Sequence, residues 1–398
     1  MDAEEARTIG WRVRQIRKSR GKSLEVIAGR AGISAPYLSQ LERGKRPLSR
    51  LSLIVALADA LEIAPSELTK IPTPAPGNGH TDSTTEKVRR ALTAVDLGRP
   101  GGLVLPASVL RDRVSKLQQA RRQCRFTEVA TGLPDIIRDL HTSIDAGQEV
   151  AELLPLAVIL HVDVTRLWLR DAGAPQDLRS HTAMRARTLA AEHGQDTTLA
   201  VAAFGAITTL LAGGMVDLAQ AELDSIRHPA TTVHTAGLLG ALTMAHSVLA
   251  AAGSPAYDVE APLAEAAELA ERFGELGDEP LGFGFGPTNV DIERMTLALE
   301  TDEPDRAASI AAGVHPERHP HLTRQATYWV DYARALSQLP RRREEAVAAL
   351  LTAEEIFPHR VYRNPIARDT IVELAQRSRK NSVGRELRGL AYRAGLTV

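Results

Sequence analysis

The chain of 398 residues is poor in aromatic side chains, which make up 4% of it, and its only cysteine is Cys124. Strands favour aromatic and β-branched residues, so this shortage in a chain that is 44% hydrophobic favours closely packed helices over sheets. One cysteine excludes an intramolecular disulfide and fits a reducing, cytoplasmic location. Because three arginines surround Cys124, a redox-sensing thiol with a lowered pKa is the alternative to a small buried residue.

Catalytic signatures are absent as well. The chain has no nucleophile elbow, no zincin helix and no P-loop, and no paired carboxylates stand out from the charged helix faces. His315, His319 and His321 have a spacing that could serve a metal, but no carboxylate or thiolate is placed to complete the site. We therefore interpret them as part of a solvated loop, and we expect no enzyme, no catalytic residue, no bound metal and no cofactor.

Two stretches without charged residues, 197–216 and 229–257, are long enough to cross a bilayer. They are rich in alanine and are interrupted by Thr, Gly, His, Ser and Pro, which fits helices buried inside a helical stack better. The N-terminus is acidic and then basic, so we expect neither a signal peptide nor a membrane partner.

Positive charge, by contrast, is concentrated near the N-terminus. Between Arg7 and Arg50 there are twelve Lys and Arg residues and two acidic residues, Glu25 and Glu42, so the net charge is 12 − 2 = +10. The whole chain carries a net charge of −1. A local basic patch in a near-neutral protein is the electrostatic signature of phosphate binding.

The periodicity of this basic region, residues 7–71, predicts five short helices. Ser23 and Ser34 are candidate N-caps of the second and third helices, and Gly32 suits the tight turn between them. The fourth helix is predicted from about Ser49 to Leu61, and residues 64–68 open the fifth. Two helices joined by a brief turn are the helix-turn-helix geometry, so we expect the third helix to enter the major groove of DNA.

The region resembles the XRE family, the lambda-repressor-like helix-turn-helix proteins of bacteria. The resemblance rests on Ser-Gln-Leu-Glu-Arg-Gly at 39–44, which is followed by Arg46-Pro47, and on Ala-Asp-Ala-Leu-Glu-Ile at 58–63. It implies a sequence-specific DNA-binding regulator whose partner is a double-stranded DNA operator. Leu24 departs from the pattern, because family members often carry Gln there to hold the DNA backbone; that contact is absent or supplied by Lys22.

The resemblance also implies roles for single residues. Base-edge contacts are implied for the start and middle of the third helix, and phosphate contacts for its end and the following loop. Glu42 is implied to be structural, whereas Arg14 and Arg17 are interpreted as general electrostatics. The DNA-binding residues implied in this way are Lys22, Ser34, Ala35, Pro36, Tyr37, Ser39, Gln40, Arg43, Lys45 and Arg46.

A Pro-rich and then Gly-rich stretch, residues 71–81, predicts a linker between a DNA-binding domain of residues 1–70 and a second domain of residues 82–398. From residue 82 onward the pattern predicts helix after helix and no convincing strand. The predicted helices lie at about 82–97, 106–121, 126–144, 149–171, 176–192, 196–213, 215–226, 231–252, 258–276, 288–300, 304–313, 320–338, 342–356, 364–378 and 383–394. The predicted fold class is therefore all-α: a five-helix lambda-repressor-like domain followed by an α-solenoid.

The clearest helix pair lies near the C-terminus and resembles the tetratricopeptide repeat, in which an aromatic, a small and a large apolar residue on one helix meet small residues on the next. Pro358 is interpreted as closing this pair. The residues that carry the resemblance are Trp329, Tyr332, Ala333 and Leu336 on the first helix, and Ala346, Leu350 and Ala353 on the second.

Stacked helix pairs form a concave surface that binds an extended peptide, a partner helix or a small molecule. The segment Pro-Leu-Gly-Phe-Gly-Phe-Gly-Pro-Thr-Asn at 280–289 is not a dinucleotide fingerprint, since its spacing is wrong and no strand precedes it. It is either a loop folded into the groove or a long inter-repeat loop. The candidate ligand contacts are Phe283, Phe285, Asn289, Tyr328 and Trp329.

An XRE domain joined to such repeats resembles the peptide-responsive regulators of Gram-positive bacteria and similar regulators of actinomycetes. The resemblance implies a homodimer that responds to a peptide or small-molecule effector, as in quorum sensing. Two alternatives stay open: the repeats recruit a protein partner while DNA binding only localises the protein, or the protein is an antitoxin-like repressor.

Overall fold

The structure, a computed structural model, describes residues 3–20, 22–46, 48, 50–61, 63, 68, 79–253, 258–276, 281, 283–376 and 382–396. Within these residues every regular element is a helix and there is no strand. The prediction of an all-α fold is confirmed, because a chain rich in alanine and poor in aromatic residues packs its helices closely.

The N-terminal domain contains four described helices. They are α1 (Ala3–Ser19), α2 (Leu24–Arg30), α3 (Ala35–Glu42) and α4 (Leu51–Ala60). The predicted fifth helix at 64–68 lies outside the described residues except for Leu68, whose side chain is fully buried. Gly21, Pro47 and Ser49 also lie outside them, and the fourth helix begins at Leu51, two residues later than predicted.

Both predicted serine caps hold their helices. Ser23 Oγ accepts a hydrogen bond from the Val26 amide at 3.2 Å, and Ser34 Oγ accepts one from the Tyr37 amide at 3.3 Å. Each bond satisfies an amide that has no partner within its own helix. Gly32 lies between the two helices with φ +66°, which a residue without Cβ adopts at little cost. The caps and the turn thus set the angle at which α3 leaves α2.

Helix α3 is locked against α1 by a close approach and by a buried ion pair. A Cβ on Gly10 of α1 would lie 2.1 Å from the Leu41 carbonyl oxygen, so only glycine fits there. Arg17 donates to Glu42 from Nε at 2.5 Å and from Nη2 at 2.9 Å, and both side chains are buried. The structural role of Glu42 is confirmed. Arg17 was wrongly interpreted as general electrostatics, since it holds α3 in place.

The second domain is a succession of seventeen described helices. They are α5 (Gly79–Asp96), α6 (Ala107–Arg122), α7 (Phe126–Asp145), α8 (Val150–Ile159), α9 (Arg166–Asp171), α10 (Gln176–His193), α11 (Asp196–Ala212), α12 (Val216–Asp224), α13 (Ala236–Gly253), α14 (Glu260–Phe273), α15 (Pro287–Glu300), α16 (Pro304–Gly313), α17 (Leu322–Gln338), α18 (Arg343–Ile356), α19 (Pro358–Arg363), α20 (Pro365–Gln376) and α21 (Ser382–Arg393).

Most of the predicted helices agree with these bounds to within a few residues. The helix predicted over 149–171 is confirmed as one continuous helical stretch from Val150 to Asp171, in which the π-helical segment Leu160–Thr165 lies between α8 and α9. Pro358 closes the C-terminal pair as predicted, since α18 ends at Ile356, and it opens the short helix α19, which was not predicted, at a position where a missing amide costs nothing. One prediction needs correction: residues 79–81, which were assigned to the linker, form the first residues of α5.

The helices pack as a solenoid. Most neighbours in sequence pack against each other, whereas α5 packs against α7. Helices α11, α13, α15 and α17 also form a row in which each contacts the next. The C-terminal pair that resembles a tetratricopeptide repeat, α17 and α18, packs as expected, with Ala333, Leu336, Ala346, Leu350 and Ala353 fully buried. Small residues at the crossing points let the helices approach closely.

By length and composition, α13 passes the test for a membrane-spanning helix, with a mean hydropathy of 1.5. It is the one helix of the described residues that does so, and 61% of it is buried inside the fold. The neighbouring helix α11 is apolar but shorter, and Asp196 lies at its start. Both helices belong to the row that forms the centre of the solenoid.

The DNA-binding domain contacts the solenoid through α4. This helix packs against α13, and Ser52 Oγ donates to the Glu300 carbonyl oxygen at 3.4 Å. Arg50 Nη1 lies 3.1 Å from Asp302 Oδ2 in the turn after α15. Two solenoid helices therefore reach this domain: α13 packs against α4, and the C-terminal end of α15 contacts Ser52 and Arg50.

Candidate DNA-binding surface and ligand cavity

One face of α3 is buried in the domain core and the other is turned outward. Leu38 and Leu41 are buried at 0% and 3% exposure. The predicted DNA contacts lie on the other side: Ser34, Pro36, Arg43, Lys45 and Arg46 are exposed, and Lys22, Ala35, Tyr37, Ser39 and Gln40 are half-buried. The sequence therefore places a row of polar and cationic groups on a rigid, capped helix, which is the arrangement that reads a DNA groove.

The outward side chains already contact one another. Arg46 Nε donates to Gln40 Oε1 at 3.1 Å, and the Arg46 guanidinium lies over the Tyr37 ring, 5.2 Å from its centroid. Arg43 Nε donates to the Ser39 carbonyl oxygen at 2.9 Å. These contacts hold the side chains that the family resemblance assigns to bases and phosphates. Because Gln40 gives its carbonyl oxygen to Arg46, its amide group is the donor left for a base edge.

Two neighbouring positions have limited freedom to contact DNA. The hydroxyl of Ser34 is used as the cap of α3, so a further contact depends on its remaining lone pair or proton. Leu24 is half-buried and packs against the domain core, which leaves no polar group at the position where family members often carry Gln. Lys22 is half-buried nearby, and its carbonyl oxygen accepts from Arg17 Nη1 at 2.9 Å.

The solenoid contains a cavity of about 340 Å³ that is partly open to solvent. Its walls come from the π-helical segment, from α6, α9, α11, α13, α15, α17 and α19, and from the loop before α15. One side is apolar, with Phe204, Leu211, Met244, Val248 and Phe283 among its walls. The Phe283 and Phe204 rings meet edge to face at 5.0 Å between centroids. Residues more than 200 positions apart in sequence thus share one pocket of the size that small ligands use.

The five predicted ligand contacts separate in the structure. Phe283 and Asn289 line the cavity, and Asn289 Oδ1 accepts from Arg324 Nε at 2.8 Å. Phe285, Tyr328 and Trp329 do not border it. Phe285 is fully buried against Gly240, where a Cβ would lie 2.1 Å from its ring.

The aromatic pair on α17 belongs to the C-terminal core. Tyr328 is 2% exposed and donates from its hydroxyl to the Ala311 carbonyl oxygen at 2.9 Å, and Trp329 packs beside it. Burial raises the pKa of the Tyr328 hydroxyl. The periodicity of α17 identified a buried face correctly but did not say against which neighbour that face packs.

Sequence reasoning missed the arginines at the other side of the cavity. Arg121, Arg166, Arg170, Arg324 and Arg360 line it, together with two carboxylates, Asp163 and Glu293. Arg121 Nη2 donates to Asp163 Oδ1 at 2.6 Å, and Arg324 Nη2 donates to Glu293 Oε2 at 2.6 Å. Nothing local in the sequence sets these arginines apart from the many others, because they converge only when the solenoid forms.

The three histidines predicted to share a solvated loop have different environments. His315 is exposed, whereas His319 and His321 are buried at 2% and 6% exposure and line the cavity. Burial lowers the pKa of His319 to about 4 and that of His321 to about 2, so both rings are neutral at pH 7. Within the described part of the chain, no three His, Cys, Asp or Glu side chains come together as metal ligands would.

The same argument corrects the redox alternative for Cys124. Burial raises the pKa of this thiol to about 12, since desolvation outweighs the neighbouring arginines Arg121 and Arg360. The thiolate that a redox sensor needs is therefore not formed at neutral pH. Cys124 behaves as a small packed residue.

Comparisons with known proteins agree on the N-terminal region. A family model described as a helix-turn-helix domain matches residues 8–70. The HTH-type transcriptional regulator SinR of Bacillus subtilis (strain 168) is 32% identical over 87 residues, which are 22% of this chain and 78% of SinR. No solved structure matches the chain. Through its N-terminal domain, the chain belongs to the XRE-type helix-turn-helix transcriptional regulators, which bind DNA.

Proposed function

We propose that this protein is a cytoplasmic, ligand-responsive transcriptional regulator that binds a palindromic operator as a homodimer. Its N-terminal domain reads the operator, and its tetratricopeptide-like solenoid dimerises and senses a peptide or small molecule, as in quorum sensing. The observation that carries the proposal is the continuity between the two parts: α13 lines the cavity and also packs against α4 of the DNA-binding domain.

A second connection supports the same coupling. Helix α15 lines the cavity with Asn289 and Glu293 near its start. At the C-terminal end of α15, the Glu300 carbonyl oxygen accepts from Ser52 of α4. Asp302, in the turn after α15, pairs with Arg50, the residue before α4. A ligand that shifts α13 or α15 therefore acts on the base of the DNA-binding domain. Coupling of this kind requires that the ligand bind two arrangements of the domains with different affinity.

Dimerisation follows from the geometry of DNA. One domain of this size presents a single recognition helix and makes few contacts, whereas two copies related by a two-fold axis contact two half-sites about one helical turn apart. The DNA contacts proposed for each copy are those on the outer face of α3 and the loop after it, with Gln40 at a base edge and Arg46 at a phosphate.

The test begins with selection of binding sites from random duplexes by the full chain. The proposal predicts a palindromic site, and a Kd for it at ~150 mM salt that is at least about 10³-fold below that for random duplex. Sedimentation equilibrium should report a dimer. Absence of sequence preference at this salt concentration contradicts the proposed DNA function.

A pull-down from the native host separates the proposal from its alternative. A co-purifying small molecule or short peptide supports a sensor. A stoichiometric protein partner supports the alternative in which the solenoid recruits a protein, as an antitoxin-like repressor does. Gln119→Ala, an exposed change on α6, serves as the control variant in each assay.

A further inference from the structure

The arginines of the cavity outnumber the carboxylates that neutralise them. Asp163 is shared by Arg121 and Gln118 Nε2, which donates to it at 3.0 Å. Glu293 is used by Arg324. Arg170 and Arg360 share one further carboxylate, that of Asp171, at 3.1 and 3.4 Å.

Arg166 is the arginine left over. It is 7% exposed and lines the cavity. Its Nε donates to the Val162 carbonyl oxygen at 3.3 Å, and among the described residues no carboxylate lies within ion-pair distance of it. Burial and the neighbouring Arg170 lower the pKa of its guanidinium to about 9. Asp163 attracts this guanidinium only from beyond ion-pair distance. A buried cation without a direct ion pair is costly, so an anion in the cavity would stabilise it.

The same cavity contains further polar groups. His319 and His321 are both buried in its lining, and the Nε2 atom of each has no hydrogen-bond partner. His319 Nδ1 accepts from the His321 amide at 3.0 Å, so the proton of the neutral ring lies on Nε2, a donor. The π-helical segment places Val162 and Asp163 in the same wall, and such segments often occur at functional sites.

Another part of the cavity wall is apolar and carries no charged side chain. Phe204, Leu211, Met244 and Phe283 form a continuous apolar surface there. An inorganic anion alone would leave this surface unused, whereas a small organic ligand suits a volume of about 340 Å³. The shape and chemistry suit a molecule with one anionic group and a compact apolar part.

We infer that the cavity binds a small amphipathic carboxylate, with its anionic group at Arg166 and its apolar part against the surface formed by Phe204 and Phe283. Carboxylates suit a guanidinium because two of its N–H groups can donate to the two oxygens at once. The inference rests on the proposed sensing function and names the chemistry of its effector. The apolar part touches α11 and α13, and the anionic group touches α9, so the ligand bridges the row of helices that reaches α4.

The test is isothermal titration of the full chain with octanoate and with 4-phenylbutyrate. At least one of them should bind at least tenfold more tightly than the uncharged 1-octanol, the cationic octylamine and acetate, which has no apolar part. Short apolar peptides with a free or an amidated C-terminus form a further arm. Tighter binding of the free-acid peptide than of both small carboxylates would overturn the assignment to a small molecule.

Arg166→Met removes the charge and keeps most of the apolar stem, and it should weaken carboxylate binding at least tenfold. Its melting temperature should not fall, because a buried cation without a partner is removed. The matched control is Arg125→Met, since Arg125 is an exposed arginine whose partner, Glu128, also lies at the surface. Because the probe series uses the wild-type protein, it tests the preference for carboxylates even if the Arg166→Met variant does not fold.

Two further results overturn the inference: no preference for carboxylates over the alcohol and the amine, or unchanged carboxylate binding by Arg166→Met. The sensing function is tested separately, by measuring operator affinity with and without the bound carboxylate. Carboxylate binding that leaves operator affinity unchanged would contradict the sensing proposal while the cavity assignment stands. Operator affinity that responds only to a protein partner, with no carboxylate bound, would contradict both.

Discussion

The outer face of α3 and the arginine side of the cavity carry the same kind of charge in opposite environments. On α3, Arg43, Lys45 and Arg46 are exposed, so water solvates them until a phosphate replaces it. In the cavity, Arg121, Arg166 and Arg360 are less than 9% exposed and are surrounded by protein. A solvated cation costs nothing to keep and binds weakly alone, whereas a buried one must be matched by a specific anion.

The difference matches the roles proposed for the two regions. A row of solvated charges attracts any nucleic acid, and sequence choice comes from the side chains between the charges. A concave pocket selects ligands by its volume and its charge. Changes that remove buried contacts in one region and exposed contacts in the other test this comparison.

The largest effect is expected at Phe285, which holds the loop before α15 against Gly240 and is fully buried. Phe285→Ala should lower the free energy of unfolding by about 4 kcal/mol, because a buried aromatic side chain is lost and a void remains. Phe283→Ala, at the half-buried cavity wall, is the matched control and should cost clearly less. Urea unfolding followed by circular dichroism measures both, and equal losses would contradict the assignment of Phe285 to the core and Phe283 to the cavity.

The next effect concerns the buried ion pair of the DNA-binding domain. Glu42→Ala leaves the Arg17 guanidinium buried without its partner and should destabilise this domain by about 3 kcal/mol. Hydrogen exchange of the α3 amides in the full chain reports the loss locally. Gln15→Ala, an exposed change on α1, should leave exchange at its wild-type level. Faster exchange in both variants would contradict the assignment of this role to the Arg17–Glu42 pair.

A smaller effect on stability is expected from a change of pH. It should arise from the buried histidines of the cavity and not from the exposed face of α3. The pKa values of His319 and His321 are lowered by burial to about 4 and about 2, below the value near 6.5 of the unfolded chain. Between these values the unfolded state binds more protons, so stability is full above pH 6.5 and falls as the pH decreases. By pH 5 the loss should be on the order of 2 kcal/mol per histidine.

The check is the pH dependence of urea unfolding for the wild type and for His321→Gln between pH 7 and pH 5. The variant should lose less stability over this interval than the wild type. Imidazole resonances followed by NMR should show His319 and His321 neutral throughout. Identical pH slopes in the two proteins would contradict the burial argument.

The smallest effects are expected on the exposed face of α3. Gln40→Ala should weaken specific binding by about 1–3 kcal/mol and relax the choice of sequence, because a base-edge hydrogen bond is lost. Arg46→Ala should weaken specific and random duplexes alike and lower the salt slope by about 1, since it removes one phosphate contact. Fluorescence anisotropy over a salt series measures both. Equal effects of the two changes on specific and random DNA would contradict the division of roles.

Much of the fold could be predicted because it depends on local patterns. Ser23 and Ser34 cap helices by bonding amides three residues away, so their roles are visible in the sequence. The helix bounds of the solenoid follow from glycine, proline and the apolar period. The π-helical segment Leu160–Thr165 was not predicted because such a segment has no distinct composition.

The candidate sites show the same difference between local patterns and contacts made by residues far apart in sequence. The contacts on α3 lie within a short stretch whose order matches a known family, so their positions could be assigned by residue. Arg17 and Glu42 are 25 residues apart, and nothing local showed that they form a buried pair. Tyr328 and Phe285 were predicted to contact a ligand because they are aromatic. The structure buries both side chains in the protein core, and no local pattern in the sequence indicated this burial.

The sequence by itself determined that this protein is all-helical and that its N-terminal region binds DNA, because caps, turns and a basic recognition helix are encoded within a few residues of one another. Only the tertiary structure decided that Arg121, Arg166, His321 and Arg360 meet around one cavity, and that α13 joins this cavity to α4. The physical reason is that burial, and with it the cost of an unpaired charge, is a property of neighbours in space and not of neighbours in sequence.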